Sequence, residues 1–471
     1  MFERLTILSV ALVLSSMTSL SAQSAKPDGR FTVLHSFTGT DGDAPTGPLM
    51  FGRDGMLYGA TSNGGVTYKD NDASGFGAIF KLSTDGKQFQ SIYSCALAGD
   101  DSICHPTGVL VMPDGSVLAG SSNAASRILN IAPSIGKPRV LLSFPTLMQC
   151  ISPLALGPDG RVYGTTFYGG TNNSGIVFCV DASGKNFQEL FSVKSGDQPA
   201  LSPVVFDHDG VGYFATTGNA GEGYSGSVYK IHTDHTVDPI DAPDAAAFGP
   251  EEIALGMYGT LYVSGTHTPI FAMDPDGKKV RLLHTFQGKD GYIPRTLVVG
   301  KDHMLYGSTQ YGGPEFVKWY QHLAGYGTIF RIAPDGTQFE TVHSFFGKDG
   351  ENPNPLVAGP DGSLYGSTVS GGANNHGTVF KFLTICTRAR IAGAKSTDNV
   401  VKGKATVALL GSDMLGAAHI LRTMYRIDGG RDLTYSAPIP ISKSGRHKLV
   451  FWSVNKSGDT EPENELMITI Q

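Results

Sequence analysis

The chain consists of short segments, each apolar throughout or alternating between apolar and polar positions, separated by clusters of glycine, proline and aspartate. One unit shows four such segments in order, at residues 153–156, 162–166, 176–180 and 187–191. Segments of this length, bounded by turn residues, predict β-strands, which we denote a, b, c and d. No long stretch of the sequence has helical periodicity, so we predict an all-β protein.

Strand b carries the motif Leu-Tyr-Gly, which returns with variations along the chain. The tyrosine, or the residue aligned with it, recurs at intervals of 44 to 60 residues, at Tyr58, Leu118, Tyr163, Tyr213, Tyr262, Tyr306 and Tyr365. A repeated unit of four strands predicts a seven-bladed β-propeller, here over residues 31–383.

The two ends of the repeated region complement each other. Residues 31–37 have the pattern of strand d without a preceding a, b or c, whereas the last unit, residues 355–383, has a, b and c but no d. We therefore expect the N-terminal strand to pair into the last blade. This pairing closes the ring and removes two exposed sheet edges.

Connection lengths distinguish the two ends of the blades. The a-to-b and c-to-d turns are tight, as at residues 158–160 and 334–336, whereas the d-to-a and b-to-c loops vary and carry insertions at residues 65–77 and 313–327. Binding residues concentrate on variable loops held by a rigid scaffold. We call the end with the variable loops the long-loop face and predict the functional site there.

These motifs resemble the GloVer (Gloeo/Verruco) tandem-repeat family of exported bacterial proteins. Its unit is approximately Leu-Tyr-Gly-Thr-Thr, Gly-Gly, Gly-Thr-Val-Phe and a Leu-His-Ser-Phe strand. The similarity is closest at residues 305–345 and 364–380 and is clear at residues 162–178. The resemblance implies a propeller, and it brings no established activity or catalytic residues.

The repeat stops before residue 385. Residues 425–430, 435–439 and 444–458 resemble the Ig-like module at the C-terminus of chitobiase-type and other secreted bacterial proteins. Alternation within residues 447–454 gives one buried face, as in two packed sheets. We expect a small Ig-like β-sandwich over residues 385–471, acting either as a spacer or as a contact for carbohydrate.

The N-terminus has the features of an export signal. Arg4, the apolar run at residues 5–14 and the small residues up to Ala22 predict a cleaved signal peptide over residues 1–22, and hence a secreted, periplasmic or cell-surface protein. A retained membrane anchor is the alternative, but the run is shorter than the ~20 residues of a membrane span. We expect a protein that does not span the membrane.

The distribution of charge argues against a nucleic-acid partner. The chain has a net charge of −6, and the 12 basic and 8 acidic residues from Thr384 onward leave −10 for the preceding part. Nucleic-acid binding instead requires a basic stripe.

Five cysteines are present in a chain expected to enter an oxidising compartment. Cys95 and Cys104 bracket an insertion, and we predict that they form a disulfide that restrains it. Cys179 lies within a predicted strand and is expected to be a buried small side chain. No clustered Cys/His spacing occurs, so we predict no metal centre.

Side chains that recur in several units are expected to be structural, since an enzyme needs its base only once. The histidines of the Leu-His-Ser/Thr-Phe strand are His35, His284 and His343, and we expect them to form hydrogen bonds between blades. The aspartates that follow them are Asp41, Asp290 and Asp349. They form turns or, as an alternative, bind calcium, the one cofactor left open.

Function is therefore expected where the repeat is broken on the long-loop face. Of the residues that begin strand a, only Glu251 and Arg295 are charged, and they lie on adjacent blades. They form either an ion pair or a carboxylate and guanidinium that converge on a ligand. Further catalytic candidates are the loop histidines that other blades lack, His105, His267 and His376.

The insertion at residues 314–323 is rich in aromatic side chains. Its rings either pack onto the rim of the propeller or form a platform that stacks a sugar. The candidate ligand-binding residues are Trp319, Tyr320 and His322, with Phe316 in the same insertion, and Tyr168, Tyr292, Tyr311 and Asn354 nearby.

No nucleophile-plus-base motif and no metal-ligand motif occurs in the sequence. We therefore predict a binding protein that recognises a glycan or a cell-surface partner through the long-loop face. The alternative is a polysaccharide lyase or glycoside hydrolase at the same face, in which a base removes the proton beside a uronate carboxylate and Arg295 neutralises that carboxylate. A lactonase-like metal propeller has less support, because only Glu251 and Asn354 match its axial ligands.

Overall fold

The computed structural model describes residues 29–69, 75–95, 105–121, 126–132, 138–145, 153–194, 198–199, 203–217, 226–242, 249–256, 259–265, 269–295, 297–319, 322–323, 325–392 and 399–471. Within these ranges the chain is all-β apart from short turns such as the 3₁₀ turn at Ala417–His419. Its strands form many small sheets that are almost entirely antiparallel. The predicted all-β class is confirmed, while the predicted signal peptide lies outside the described residues.

Seven sheets follow one another along the repeated region, and we number them 1 to 7. The N-terminal strand is β1 (Phe31–Ser36). Sheet 1 contains β2 (Asp43–Phe51), β3 (Leu57–Asn63), β4 (Ala78–Leu82) and β5 (Phe89–Ser94). Sheet 2 contains β6 (Pro106–Val111), β7 (Val117–Ser121), β8 (Arg127–Ile131) and β9 (Arg139–Ser143). Sheet 3 contains β10 (Ala155–Leu156), β11 (Arg161–Thr165), β12 (Ile176–Asp181) and β13 (Gln188–Ser192).

The next sheets keep this order with some strands broken in two. Sheet 4 contains β14 (Gln198–Pro199), β15 (Val205–Phe206), β16 (Gly212–Thr217), β17 (Ser227–Ile231) and β18 (Val237–Pro239). Sheet 5 contains β19 (Pro250–Leu255), β20 (Leu261–Gly265), β21 (Pro269–Met273) and β22 (Val280–Thr285). Sheet 6 contains β23 (Tyr292–Pro294), β24 (Val298–Val299), β25 (Leu305–Tyr311), β28 (Thr328–Ile332) and β29 (Glu340–Ser344), and its insertion forms the hairpin of β26 (Lys318–Trp319) and β27 (His322–Leu323).

Sheet 7 combines the two ends of the repeated region. It contains β30 (Glu351–Pro353), β31 (Val357–Ala358), β32 (Ser363–Ser370) and β33 (Thr378–Leu383), and its outer strand is β1. Phe31 of β1 pairs with Phe382 of β33, and Ser36 pairs with Thr378. The N-terminal strand thus supplies the outer strand that the last unit lacks.

The repeated glycine of Leu-Tyr-Gly makes room for the repeated phenylalanine on the adjacent strand. Gly59 pairs with Phe80 across β3 and β4, and a Cβ atom at Gly59 would lie 2.5 Å from that ring. Gly366 and Phe380 have the same relationship in sheet 7. A side chain at either glycine would displace a fully buried ring, so the motif serves packing.

The repeated tyrosine binds the aspartate of the preceding tight turn. The hydroxyl groups of Tyr58, Tyr163, Tyr213, Tyr306 and Tyr365 donate to Asp54, Asp159, Asp207, Asp302 and Asp361 at 2.7 to 3.1 Å. Burial, then the hydrogen bond to Asp54, raises the pKa of Tyr58 to about 12. These phenols stay protonated and hold the turns in place, as expected of a structural role.

The repeated histidines bind the loop aspartates and stack on the next sheet. The Nε2 atoms of His35, His284 and His343 lie 2.8 to 3.1 Å from Asp41, Asp290 and Asp349. Their rings stack at 3.8 to 4.0 Å on Phe89, Phe339 and Phe31 of an adjacent sheet. The expected hydrogen bonds between blades are therefore replaced by bonds to the following loop, and the contact between sheets is aromatic.

The apolar core lies between neighbouring sheets. One buried cluster joins Leu110, Leu118 and Ile128 of sheet 2 to Leu154, Val162 and Phe178 of sheet 3. Fully buried side chains of this size each contribute about 2 kcal/mol to stability. Cys179 is fully buried, as predicted, and Cys95 is buried at the end of sheet 1. Because Cys104 lies outside the described residues, the disulfide stays a prediction.

The C-terminal region forms two further sheets. One contains β34 (Cys386–Ala392), β36 (Ala405–Ser412) and β39 (Ile439–Ile441). The other contains β35 (Val400–Val401), β37 (Ile420–Ile427), β38 (Leu433–Thr434), β40 (Gly445–Asn455) and β41 (Asn464–Ile470). Apolar side chains of both sheets, among them Val407, Leu449 and Ile468, form one core.

This C-terminal region is bonded to sheet 7. The Lys381 ammonium lies 2.9 Å from Asp361 in sheet 7 and 3.0 Å from Asp459 in the C-terminal region. Thr384 Oγ1 donates to the carbonyl of Gly362 and accepts the N–H of Met414. Polar contacts on both sides of the junction therefore fix the two parts against each other.

Candidate functional site

The segments that begin neighbouring sheets lie next to one another on the long-loop face. Thr46 Oγ1 donates to the carbonyl of Pro106 at 2.9 Å, which links sheet 1 to sheet 2. Asn354 Nδ2 donates to the carbonyl of Pro45 at 2.8 Å, which links sheet 7 to sheet 1. Asn354 is buried, so this candidate residue serves the junction between sheets.

Arg295 and two glutamates form a charged cluster between sheets 5 and 6. Arg295 Nη1 lies 3.6 Å from Glu252 Oε1, and the two side chains are 15% and 5% exposed. The ion pair therefore involves Glu252, whereas the sequence pointed to Glu251. The buried Nε of Arg295 has no hydrogen-bond partner among the described residues.

The charges of Glu252 and Arg295 both act on the carboxyl group of Glu251. Burial, reinforced by the negative charge of Glu252 and opposed by Arg295, raises the pKa of Glu251 from 4.5 to about 7. Near neutral pH this carboxyl group is present in both protonation states. It can donate a hydrogen bond or accept a proton, which few carboxyl groups do at this pH.

His376 lies between a carboxylate and a phenol where sheet 7 meets sheet 1. Its Nδ1 is 3.0 Å from Asp43 Oδ1, and its Nε2 is 3.3 Å from the hydroxyl of Tyr68. The side chains of His376 and Asp43 are about one-fifth exposed, at 22% and 20%. A carboxylate on one nitrogen fixes the orientation of the ring and leaves the other nitrogen for Tyr68 or a ligand.

The remaining histidine candidates have different surroundings. His105 Nδ1 lies 2.7 Å from the carbonyl of Ser62, and its backbone N–H donates to Phe76. The N–H of Ala44 donates to the carbonyl of His376 in the same way. The backbone of His105 therefore takes part in a contact between neighbouring sheets that recurs along the chain. His267 lies outside the described residues.

Part of the predicted aromatic platform packs against the protein. Phe316 stacks on Tyr292, with 5.7 Å between ring centroids, and covers Gly288 so closely that a side chain there would collide with the ring. Tyr292 is 8% exposed, and Tyr311 pairs with it across the strands. These rings anchor the base of the insertion.

Of the outer candidates for the aromatic platform, the structure describes the side chain of Tyr168 alone. Tyr168 is 39% exposed beside Phe167. The backbones of Trp319 and His322 pair in the β26–β27 hairpin, but their side chains, like the whole of Tyr320, lie outside the described residues. A platform role for these three residues stays a prediction.

Sequence reasoning missed Glu252 and Asp43. The strand register shifts between Pro250 and Glu252, so Glu251 lies at an irregularity of β19, and simple alternation along the strand does not show which glutamate meets Arg295. The consecutive pair Glu251-Glu252 in an otherwise apolar strand was the available signal. Within the described ranges, no group of three or more His, Cys, Asp or Glu side chains is arranged to hold a metal ion.

A family model matches most of this architecture. The model described as the Gloeobacter/Verrucomicrobia repeat matches residues 114–316 and 254–413, well over half of the chain. The chain belongs to the Gloeobacter/Verrucomicrobia repeat family. No curated protein matches it.

The similarity to the first of two solved structures shows that the Gloeobacter/Verrucomicrobia repeat chain has a propeller-like fold. PorZ, a bacterial surface component of the type-IX secretion system of Porphyromonas gingivalis, is 12% identical with a TM-score of 0.51. The match covers 93% of this chain and 60% of PorZ, so this chain spans about three-fifths of that protein. An oligogalacturonate lyase from Vibrio parahaemolyticus is 10% identical, with 74% and 92% of the two chains covered and a TM-score of 0.49.

The regions matched by the Gloeobacter/Verrucomicrobia repeat include Glu251, Arg295 and His376, whereas Asp43 and Tyr68 precede them. In the described part of the chain, no helix has the length and apolar character of a membrane span.

Proposed function

We propose that this protein is an exported β-propeller that binds a carboxylate-bearing glycan, or a surface partner displaying one, through its long-loop face. The observation that carries the proposal is the Arg295 guanidinium, which is 15% exposed, lies 3.6 Å from Glu252 and has an Nε without a hydrogen-bond partner among the described residues. A ligand carboxylate that reaches the exposed part of this guanidinium would form charge-assisted hydrogen bonds with it. The planar guanidinium matches a carboxylate group better than an ammonium does.

The proposed scaffold is a seven-bladed ring over residues 31–383, closed by β1. The pairing of β1 with β33 and the seven successive sheets support it. A signal peptide over residues 1–22, a disulfide between Cys95 and Cys104 and an Ig-like sandwich over residues 385–471 complete the proposal. The shared core of the two C-terminal sheets supports the sandwich.

Neutral sugar hydroxyls find further partners on this face. Protonated Glu251 would donate a hydrogen bond to the sugar, and the Nε2 of His376 and the hydroxyl of Tyr68, 3.3 Å apart, would bind further hydroxyls. Tyr168, Trp319, Tyr320 and His322 are the proposed stacking residues. Together these groups suit a chain of sugars with at least one uronate.

A second candidate function is polysaccharide cleavage, and the raised pKa of Glu251 favours it. A general acid or base works best when its pKa is near the working pH. In a lyase, Glu251 or His376 would take the proton beside the uronate carboxylate, and Arg295 would neutralise that carboxylate. In a hydrolase, Glu251 would protonate the leaving oxygen.

One experiment separates binding from cleavage. The mature protein is incubated with uronate-containing and neutral polysaccharides, while calorimetry follows binding and absorbance with reducing-end assays follows products. Binding of uronate chains without product supports the first function. Product that disappears in Glu251→Gln, with Val317→Ala as a control, establishes cleavage instead. If no uronate chain binds or is cleaved, both functions fail.

A further inference from the structure

A cavity of about 230 Å³ lies between sheets 3 and 4, at the end of the strands opposite to the long-loop face. Its lining combines polar side chains, among them Asp159, His232 and His235, with the apolar surfaces of Pro158, Phe206 and Ile231. The volume lies just below the range of about 300 to 1,000 Å³ found for drug-sized ligands. It suits a ligand with a single ring.

His235 occupies a position that the other described c-to-d turns give to glycine. Its N–H bonds to the carbonyl three residues earlier, as do those of Gly86, Gly184, Gly277 and Gly336. All five residues have a positive φ, 69° at His235 and 75° to 85° at the glycines. This region of φ is unfavourable for a residue with a side chain, and residues held in it concentrate at functional sites.

The glycines of the other turns press against the preceding sheet. A Cβ atom would lie 2.7 Å from the carbonyl oxygen of Leu34 at Gly86, and 2.9 Å from that of Leu283 at Gly336. His235 has a Cβ atom and cannot make this approach, so sheets 3 and 4 are kept apart where the cavity lies.

The side chain of His235 reaches across the gap to sheet 3. Its Nε2 lies 3.2 Å from Asp159 Oδ2 and 3.2 Å from the Tyr163 hydroxyl, which itself donates to Asp159 at 2.9 Å. Burial raises the pKa of Asp159, but bonds from Arg161, Tyr163 and His235 outweigh it and keep the carboxyl group ionised. The other repeated Tyr–Asp pairs that the structure describes are not bonded to a histidine.

His235 Nδ1 also lies 3.4 Å from Arg161 Nη1, so both ring nitrogens have partners within the protein. We propose that this cleft binds one neutral sugar ring, whose hydroxyls donate to the Asp159 carboxylate that His235 orients, while Phe206, Ile231 and Pro158 cover its C–H face. An ionised carboxylate can accept about four hydrogen bonds, so Asp159 can accept from a sugar hydroxyl as well as from its donors within the protein. The apolar side chains of the cleft can pack against the C–H face of such a ring. The cleft is at the far end of the strands from Arg295, so this site does not depend on the function proposed above.

The test uses the full mature chain and the methyl glycosides of glucose, galactose, mannose and N-acetylglucosamine. Saturation-transfer NMR and calorimetry should detect at least one of them. His235→Gly restores the residue of the other turns, so the variant is expected to fold, and the loss of the imidazole that orients Asp159 should weaken binding at least about tenfold. Asp159→Asn keeps an acceptor for the turn and should weaken binding similarly.

His303→Gly is the matched control. His303 is exposed, has a φ of 63° and stands where other a-to-b turns have glycine, but it lies in sheet 6 away from the cleft. This variant should bind the glycoside as the natural protein does. Binding retained within twofold in His235→Gly, or no binding of any glycoside to the natural protein, overturns the proposal. Uronate binding at Arg295 should be unchanged in His235→Gly, which separates the two sites.

Discussion

Arg295 Nη1 lies 3.6 Å from Glu252 Oε1, so the guanidinium of sheet 6 is paired with the second of two adjacent glutamates in sheet 5. The first glutamate, Glu251, is left with a pKa raised to about 7. Two adjacent residues of β19 therefore have different roles. Glu252 pairs with Arg295, whereas Glu251 can exchange a proton near neutral pH.

Removing the guanidinium should destabilise the protein. Arg295→Gln leaves the 5% exposed Glu252 side chain without its cation. Breaking a buried pair by removing one partner costs about 3 kcal/mol. Urea unfolding at neutral pH measures this loss, and Arg295→Lys, which keeps the charge, should recover part of it. A loss for Arg295→Gln below about 0.5 kcal/mol, the range of ordinary surface changes, would show that the pair is not stabilising.

Glu251 should make the folded protein less stable as the pH rises from about 4.5 to about 7. The pKa of Glu251 is raised from 4.5 to about 7 in the folded state. Between these values the folded state holds the proton and the unfolded state has released it, so stability falls as the pH rises, by about 3 kcal/mol in total.

Glu251→Gln is the variant that isolates this effect. The amide cannot ionise, so the difference in unfolding free energy between the variant and the natural protein should grow in favour of the variant from pH 4.5 to pH 7. Parallel curves for the two proteins across this range would mean that Glu251 titrates normally.

Phe316 should anchor the insertion of sheet 6. Because its ring covers Gly288 and stacks on Tyr292, Phe316→Ala should cost about 2 kcal/mol and expose the loop to proteases. Val317 is 60% exposed in the same loop, so Val317→Ala is the matched control and should change neither stability nor cleavage. Equal protease resistance of the two variants would argue against the anchor.

The repeated Tyr–Asp hydrogen bond should stabilise each sheet in which it occurs. Tyr365 donates to Asp361 at 2.7 Å, so Tyr365→Phe should cost about 2 kcal/mol. In sheet 5 the sequence lacks this aspartate, and burial, opposed by Arg281, raises the pKa of Tyr262. Tyr262→Phe should therefore cost less than about 0.5 kcal/mol. Thermal unfolding of the two variants compares the sites, and equal losses would contradict a role for the aspartate.

Much of the fold follows from the repeated pattern. Gly59 and Phe80 recur as neighbours because one makes room for the other, and such coupled positions leave a periodic signal in the sequence. The all-β class and the repeat family are confirmed on this basis. The identity of residues 31–37 as an outer strand was also accessible, because the last unit lacked one.

The site was less predictable because it depends on register and on contacts between distant loops. The positions of Glu251 and Arg295 on adjacent units could be predicted from the alignment, but the choice of Glu252 as the ion-pair partner could not. Asp43 and His376 lie far apart in sequence and meet only where sheet 7 contacts sheet 1. The left-handed turn at His235 was visible as a missing glycine, but the cavity beside it was not.

The most direct test of the proposed function compares one polysaccharide in two forms. A uronate oligomer and the same oligomer with its carboxyl groups reduced to alcohols are titrated calorimetrically into the mature protein. If Arg295 recognises the carboxylate, the uronate form should bind at least about tenfold more tightly, since a charged hydrogen-bonded pair contributes about 1.5 to 3 kcal/mol. Equal affinity for the two forms would contradict the assignment of Arg295 as the carboxylate-binding residue.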